Sequence, residues 1–65
     1  MAQLTAQSVL IERATGDRVQ LTVHSDEKLV LCTLIAMPPG MPVSTAMKIG
    51  ELLEEAINNA NLKLT

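Results

Sequence analysis

The chain has 65 residues, 48% of them hydrophobic and none aromatic, with a formal net charge of −2. That charge supplies no long-range attraction to nucleic acid or to an anionic membrane, and without aromatic rings there is no base stacking. A single Cys excludes an intrachain disulfide, and one small domain, residues 1–65, buries only about 60% of its unfolded surface.

Domains this small usually need a staple, in the form of disulfides, a metal or a second chain. One Cys, one His and scattered carboxylates make a poor metal set, so no metal or cofactor is expected and a second copy is the expected support. No apolar run reaches the roughly 18–20 residues of a spanning helix. The segment MAQLTAQSVLIER lacks a basic n-region. A soluble, cytoplasmic protein with no membrane partner is expected, in a compartment where a free thiol persists.

Met1 to Gln7 is small and polar and is expected to fray at its start. Ser8 to Arg13 (SVLIER) reads as a strand, and Ala14-Thr15-Gly16 as a hairpin loop in which Gly16 takes positive φ. Arg18 to His24 alternates strictly, with Val19, Leu21 and Val23 on one face and Gln20, Thr22 and His24 on the other. Charge matching favours a three-residue loop. It pairs Arg13 with Asp17, Glu12 with Arg18, Ile11 with Val19 and Val9 with Leu21. Opposite charges across strands contribute roughly 0.2–1 kcal/mol per pair.

Ser25-Asp26-Glu27 forms a second turn of uncertain length, leading into the strand Lys28 to Met37 (KLVLCTLIAM). Leu29, Leu31, Thr33, Ile35 and Met37 alternate with Val30, Cys32, Leu34 and Ala36, so both faces are apolar. A strand with one wet face would alternate apolar with polar. Pro38-Pro39-Gly40-Met41-Pro42 is a stiff corner. Ser44 or Thr45 is expected to cap a helix running to about Ala60. At 100° per residue, Leu52, Ala56, Ile49, Ala60, Leu53, Ala46 and Ile57 fill an arc of about 160°. Lys48, Glu51, Glu54, Glu55 and Asn58 lie opposite. Asn58, Asn59 and Asn61 supply a stop, and Leu62-Lys63-Leu64 a short extended tail.

The expected fold is α+β, a three-stranded antiparallel meander followed by one amphipathic helix (β-β-β-α) that covers one face of the sheet. The most apolar strand then lies at an edge with Lys28 as its only charge, which invites a second copy. The expected dimer interface is Leu29, Leu31, Thr33, Ile35 and Met37. Docking could run edge to edge or face to face.

Candidate chemistry is sparse. Cys32 has apolar sequence neighbours and reads as a small buried residue, since a reactive thiolate needs a positive neighbour. Cys32 and His24 could pair across adjacent strands, but no third orienting group is evident, and His24 reads as a solvated strand end. Glu51, Glu54 and Glu55 form a carboxylate patch, and Met41 and Met47 flank the proline corner where adaptable thioethers suit partner contact. Gly50, inside the helix, costs about 1 kcal/mol relative to Ala and suggests a close approach to the sheet or to a second subunit. The expected function is a non-catalytic protein-interaction or regulatory module acting as a homodimer, its partner protein engaging Glu51, Glu54, Glu55, Met41 and Met47. A dimeric nucleic-acid-binding regulator and a small Cys-dependent enzyme are the alternatives.

Overall fold

The computed structural model describes residues 3–63. It is an α+β fold of β1 (Leu4–Ile11), β2 (Arg18–Ser25), β3 (Lys28–Ala36) and α1 (Val43–Asn59). The sheet is antiparallel throughout, in the order β1-β2-β3. No helix among the described residues is long and apolar enough to cross a membrane.

β2 follows its sequence pattern. Val19, Leu21 and Val23 are buried beneath the helix, while Gln20, Thr22 and His24 face the other, open side of the sheet and are half-buried. The core has two parts. Ala6, Leu21 and Val23 pack with Leu4, Leu53 and Ile57. Val19, Met37 and Ala46 pack with Leu10, Ile35, Met41 and Ile49. Met37 caps the second part from just past the end of β3, its amide donating to Asp17 at 3.0 Å.

β1 departs from expectation. It starts at Leu4, within the segment expected to fray, and its register lies one residue from the charge-matched one: Ile11 faces Arg18, Leu10 faces Val19 and Ser8 faces Leu21. A one-residue slip exchanges the faces of a strand. Ala6, Ser8 and Leu10 therefore turn toward the helix, and Val9 is left 58% exposed. Helix approach explains the choice. A Cβ built on Gly50 would stand 3.1 Å from Ser8 Oγ and 3.2 Å from both Ser8 Cβ and Val19 Cγ1. Only small residues fit beneath a helix this close, and the Ala6–Ser8 face offers them where Gln7 and Val9 do not. Arg13 and Asp17 still meet, in the loop rather than the ladder: the Arg13 amide donates to Asp17 Oδ1 at 3.4 Å. Gly16 takes φ +126°, as expected, and its amide donates to Arg13 O at 3.0 Å.

The second hairpin closes on two residues, since Ser25 pairs with Lys28. Asp26 and Glu27 have φ of +49° and +68°. Positive φ at both positions gives a turn whose twist matches the strands it joins. A bulge interrupts the ladder between Val23 and His24, which pair with Leu31 and Leu29 and leave Val30 extra. β3 ends at Ala36, one residue short of expectation.

The helix begins at Val43 with Pro42 as its cap and no side-chain capping bond, so neither Ser44 nor Thr45 caps it. Pro42 itself is extended, at φ −60° and ψ 144°, and its carbonyl accepts from the amides of Thr45 and Ala46 at 3.0 and 3.1 Å, so the corner starts the helix. The packed face is also rotated from the expected arc. Ala46 and Gly50 are buried, Leu53 and Ile57 half-buried, and Leu52 and Ala56 exposed. The tail continues past the helix: Gln3 bridges Lys63, and the Leu4 amide donates to Leu62 O at 2.7 Å. Met1, Ala2, Leu64 and Thr65 lie outside the described residues.

Candidate interaction surface

A three-stranded sheet has two edges, and each edge strand aims every second amide and carbonyl outward. On β1 the outward residues are Leu4, Ala6, Ser8 and Leu10, and α1 with its tail takes the amides of the first three; the Leu10 amide meets no described residue. Leu62 O takes the Leu4 amide. Asn58 Oδ1 accepts from the Ala6 amide at 2.8 Å while its Nδ2 donates to Ala6 O at 3.2 Å, copying a strand's own pairing. Glu54 Oε2 accepts from the Ser8 amide and from Ser8 Oγ, each at 3.0 Å. Glu54 and Asn58 stand one helical turn apart and so face successive outward amides.

Glu54 is therefore half-buried against β1 and does not belong to a free carboxylate patch. The helix carries two working stripes, an apolar one over the sheet and a polar one along its edge. Glu51 and Glu55 are exposed, and Glu51 pairs with Lys48 at 3.8 Å. Both members of that pair are largely solvated, so it contributes little. Met47 is exposed and Met41 half-buried in the core's second part. Met47 and Glu51 line a shallow groove of about 300 Å³ between α1 and β1, with Ser8 and Leu10 on its other wall.

β3 has no such cover. α1 runs over β1 and β2 and not over β3. By alternation, Leu31, Thr33 and Ile35 bond to β2, and the amides of Cys32, Leu34 and Ala36 point outward. No described residue meets them. Leu29 is 59% exposed, Leu34 56% and Leu31 48%.

The five residues expected at a dimer interface divide. Leu31, Thr33, Ile35 and Met37 share the helix side of the sheet, but Ile35 and Met37 are taken up by the core, leaving Leu31 and Thr33 exposed. The bulge turns Leu29 to the open side, with Cys32, Leu34 and Ala36. Sequence reasoning passed over Leu34 and Cys32 because the face of β3 depended on a turn length that no glycine fixed.

Cys32 is exposed rather than buried. It faces Thr22, on the same side of the sheet as His24, and no hydrogen bond joins the Cys32 and His24 side chains. Arg13 and Arg18 have no carboxylate partner, the Lys48–Glu51 pair being the one ion pair among the described residues. The Arg18 guanidinium reaches Gly16 O at 3.5 Å. Among the described residues no three His, Cys, Asp or Glu side chains gather into a metal-sized cluster. The chain matches no protein-family model, no curated protein and no solved structure.

Proposed function

We propose that this chain is a non-catalytic interaction module that works in the cytoplasm as a homodimer joined through the outer edge of β3. One observation carries the reading: α1 and the tail after it take three successive outward amides of the β1 edge and none of the more apolar β3 edge. Unpaired strand edges are templates for pairing, and soluble proteins cover, charge or distort them. Here the protection is limited to Lys28 and the bulge at Val30, both at one end. Edge-to-edge pairing supplies acceptors and donors to Cys32, Leu34 and Ala36 and removes Leu34 from water. The exposed Glu51 and Glu55, with Met47 beside the groove, then serve as the surface for a partner protein.

Light scattering tests the reading, comparing the native chain with Leu34→Lys. The native chain is expected at twice its formula mass at tens of micromolar, and the variant at its formula mass with unchanged far-UV circular dichroism. A native chain that stays monomeric at millimolar concentration refutes it.

A further inference from the structure

We propose that the two copies pair antiparallel through β3 in the register that sets Cys32 against Cys32 of the second copy. This rests on the homodimer reading and fixes its geometry. β3 runs from Lys28 to Ala36, and Cys32 is its midpoint. A twofold axis there lets all nine residues of each strand overlap, and each two-residue displacement removes two pairs from the ladder. Cys32 is also an outward-bonding residue, so the central pair exchanges both of its hydrogen bonds.

Charge selects the same register. The exposed turn Asp26-Glu27 lies at one end of β3, and Arg18, with no carboxylate partner among the described residues, lies beside Ala36 at the other. With Cys32 on the axis, Lys28 of one copy faces Ala36 of the other. Each acidic turn then comes to the Arg18 end of its partner, twice by symmetry. A register centred on Leu34 would avoid the bulge at Val30, and one centred on Thr33 would set Val30 against Ala36. They would also carry the acidic turn past Arg18 and set Lys28 against the proline corner.

The shape of the single chain agrees with a second copy as occupant. Its radius of gyration is 12.9 Å, against about 11 Å for a compact domain of this length. Its accessible surface is 4567 Å², against about 4,000 Å² for a folded monomer of this mass. Pairing through β3 yields a six-stranded sheet with both helices on one side.

Disulfide trapping reads the register. Diamide accepts two electrons and two protons from two Cys32 thiols, forming one S–S bond and a hydrazine. Opposed residues in a bonded antiparallel pair stand about 5.5 Å apart at Cα, within disulfide range. Three forms are compared by non-reducing electrophoresis at a concentration where light scattering shows dimer: the native chain, Cys32→Ser/Leu34→Cys, and Cys32→Ser/Gln20→Cys. The native chain is expected to link at least tenfold faster than either variant. The Gln20 positions stand at least three strand spacings apart, roughly 14 Å or more, in an edge-to-edge dimer. Faster linking through position 34 overturns the register in favour of one centred on Leu34, and faster linking through position 20 overturns edge pairing in favour of face-to-face docking. A scattering dimer in which no form links overturns the register alone. A chain that is monomeric and unlinked overturns the homodimer reading with it.

Discussion

β1 and β3 flank the same central strand, and the chain treats them oppositely. β1 offers small residues inward and its outward amides to Asn58, Glu54 and Leu62. β3 offers leucines on both faces and its outward amides to solvent. The difference follows from one geometric fact. A helix about 10 Å across with its side chains spans two strands at a spacing of about 4.8 Å, not three. Gly50 seats it on β1 and β2, and Glu54 and Asn58 turn its polar flank to the β1 edge. Leu52 and Ala56, on the flank away from β1, are left exposed. An amphipathic helix can thus cover most of one edge of a small sheet while leaving the other for a partner.

The contrast can be broken at its source. Gly50→Leu places a side chain where even a Cβ stands 3.1 Å from Ser8 Oγ, and overpacking of this kind costs about 3 kcal/mol. Urea denaturation should show most of the stability lost, because a domain of this length has only about 3–10 kcal/mol in all.

Removing one closing bond is milder. Asn58→Ala strands the amide and carbonyl of Ala6, and unsatisfied buried groups cost about 1–3 kcal/mol. Asn58→Asp keeps the acceptor and loses the donor, so its denaturation midpoint should fall between native and Asn58→Ala. Equal midpoints for all three would show that the edge is not held by this side chain.

Glu27→Gly relieves a left-handed backbone, φ +68°, that costs L-residues about 1–2 kcal/mol. Set against the greater chain entropy of Gly in the unfolded state, the net gain is about 0.5–1 kcal/mol. A thermal midpoint raised by a few degrees is expected. Leu34→Lys, on the open edge, should change the stability of the dilute monomer by less than about 0.5 kcal/mol. Its effect belongs to association alone, the reverse of Asn58→Ala.

Much of this architecture was legible. The strict alternation of Arg18–His24, the positive φ of Gly16, the proline corner and the helix are found where composition and period put them. The apolar strand at the sheet edge followed from short connections alone. Other features were not legible, for physical reasons. The register of β1 was argued from charge pairs worth tenths of a kcal/mol, whereas it is decided by how closely Gly50 lets the helix approach Ser8, a distance between residues far apart in the chain. The role of Glu54 and Asn58 was hidden because a helical wheel sorts residues by polarity alone. It cannot show that a polar flank faces a strand's free amides rather than water. The same blindness applied to Leu29, whose face was set by a bulge at Val30 that no residue there announces.

Amide hydrogen exchange followed residue by residue, at dilute and at high protein concentration, compares the two edges in one measurement. Ala6 and Ser8 should be protected equally at both concentrations, since their acceptors belong to the same chain. Cys32, Leu34 and Ala36 should exchange freely when dilute and become protected when concentrated. Protection of these three at every concentration, or at none, would contradict the account.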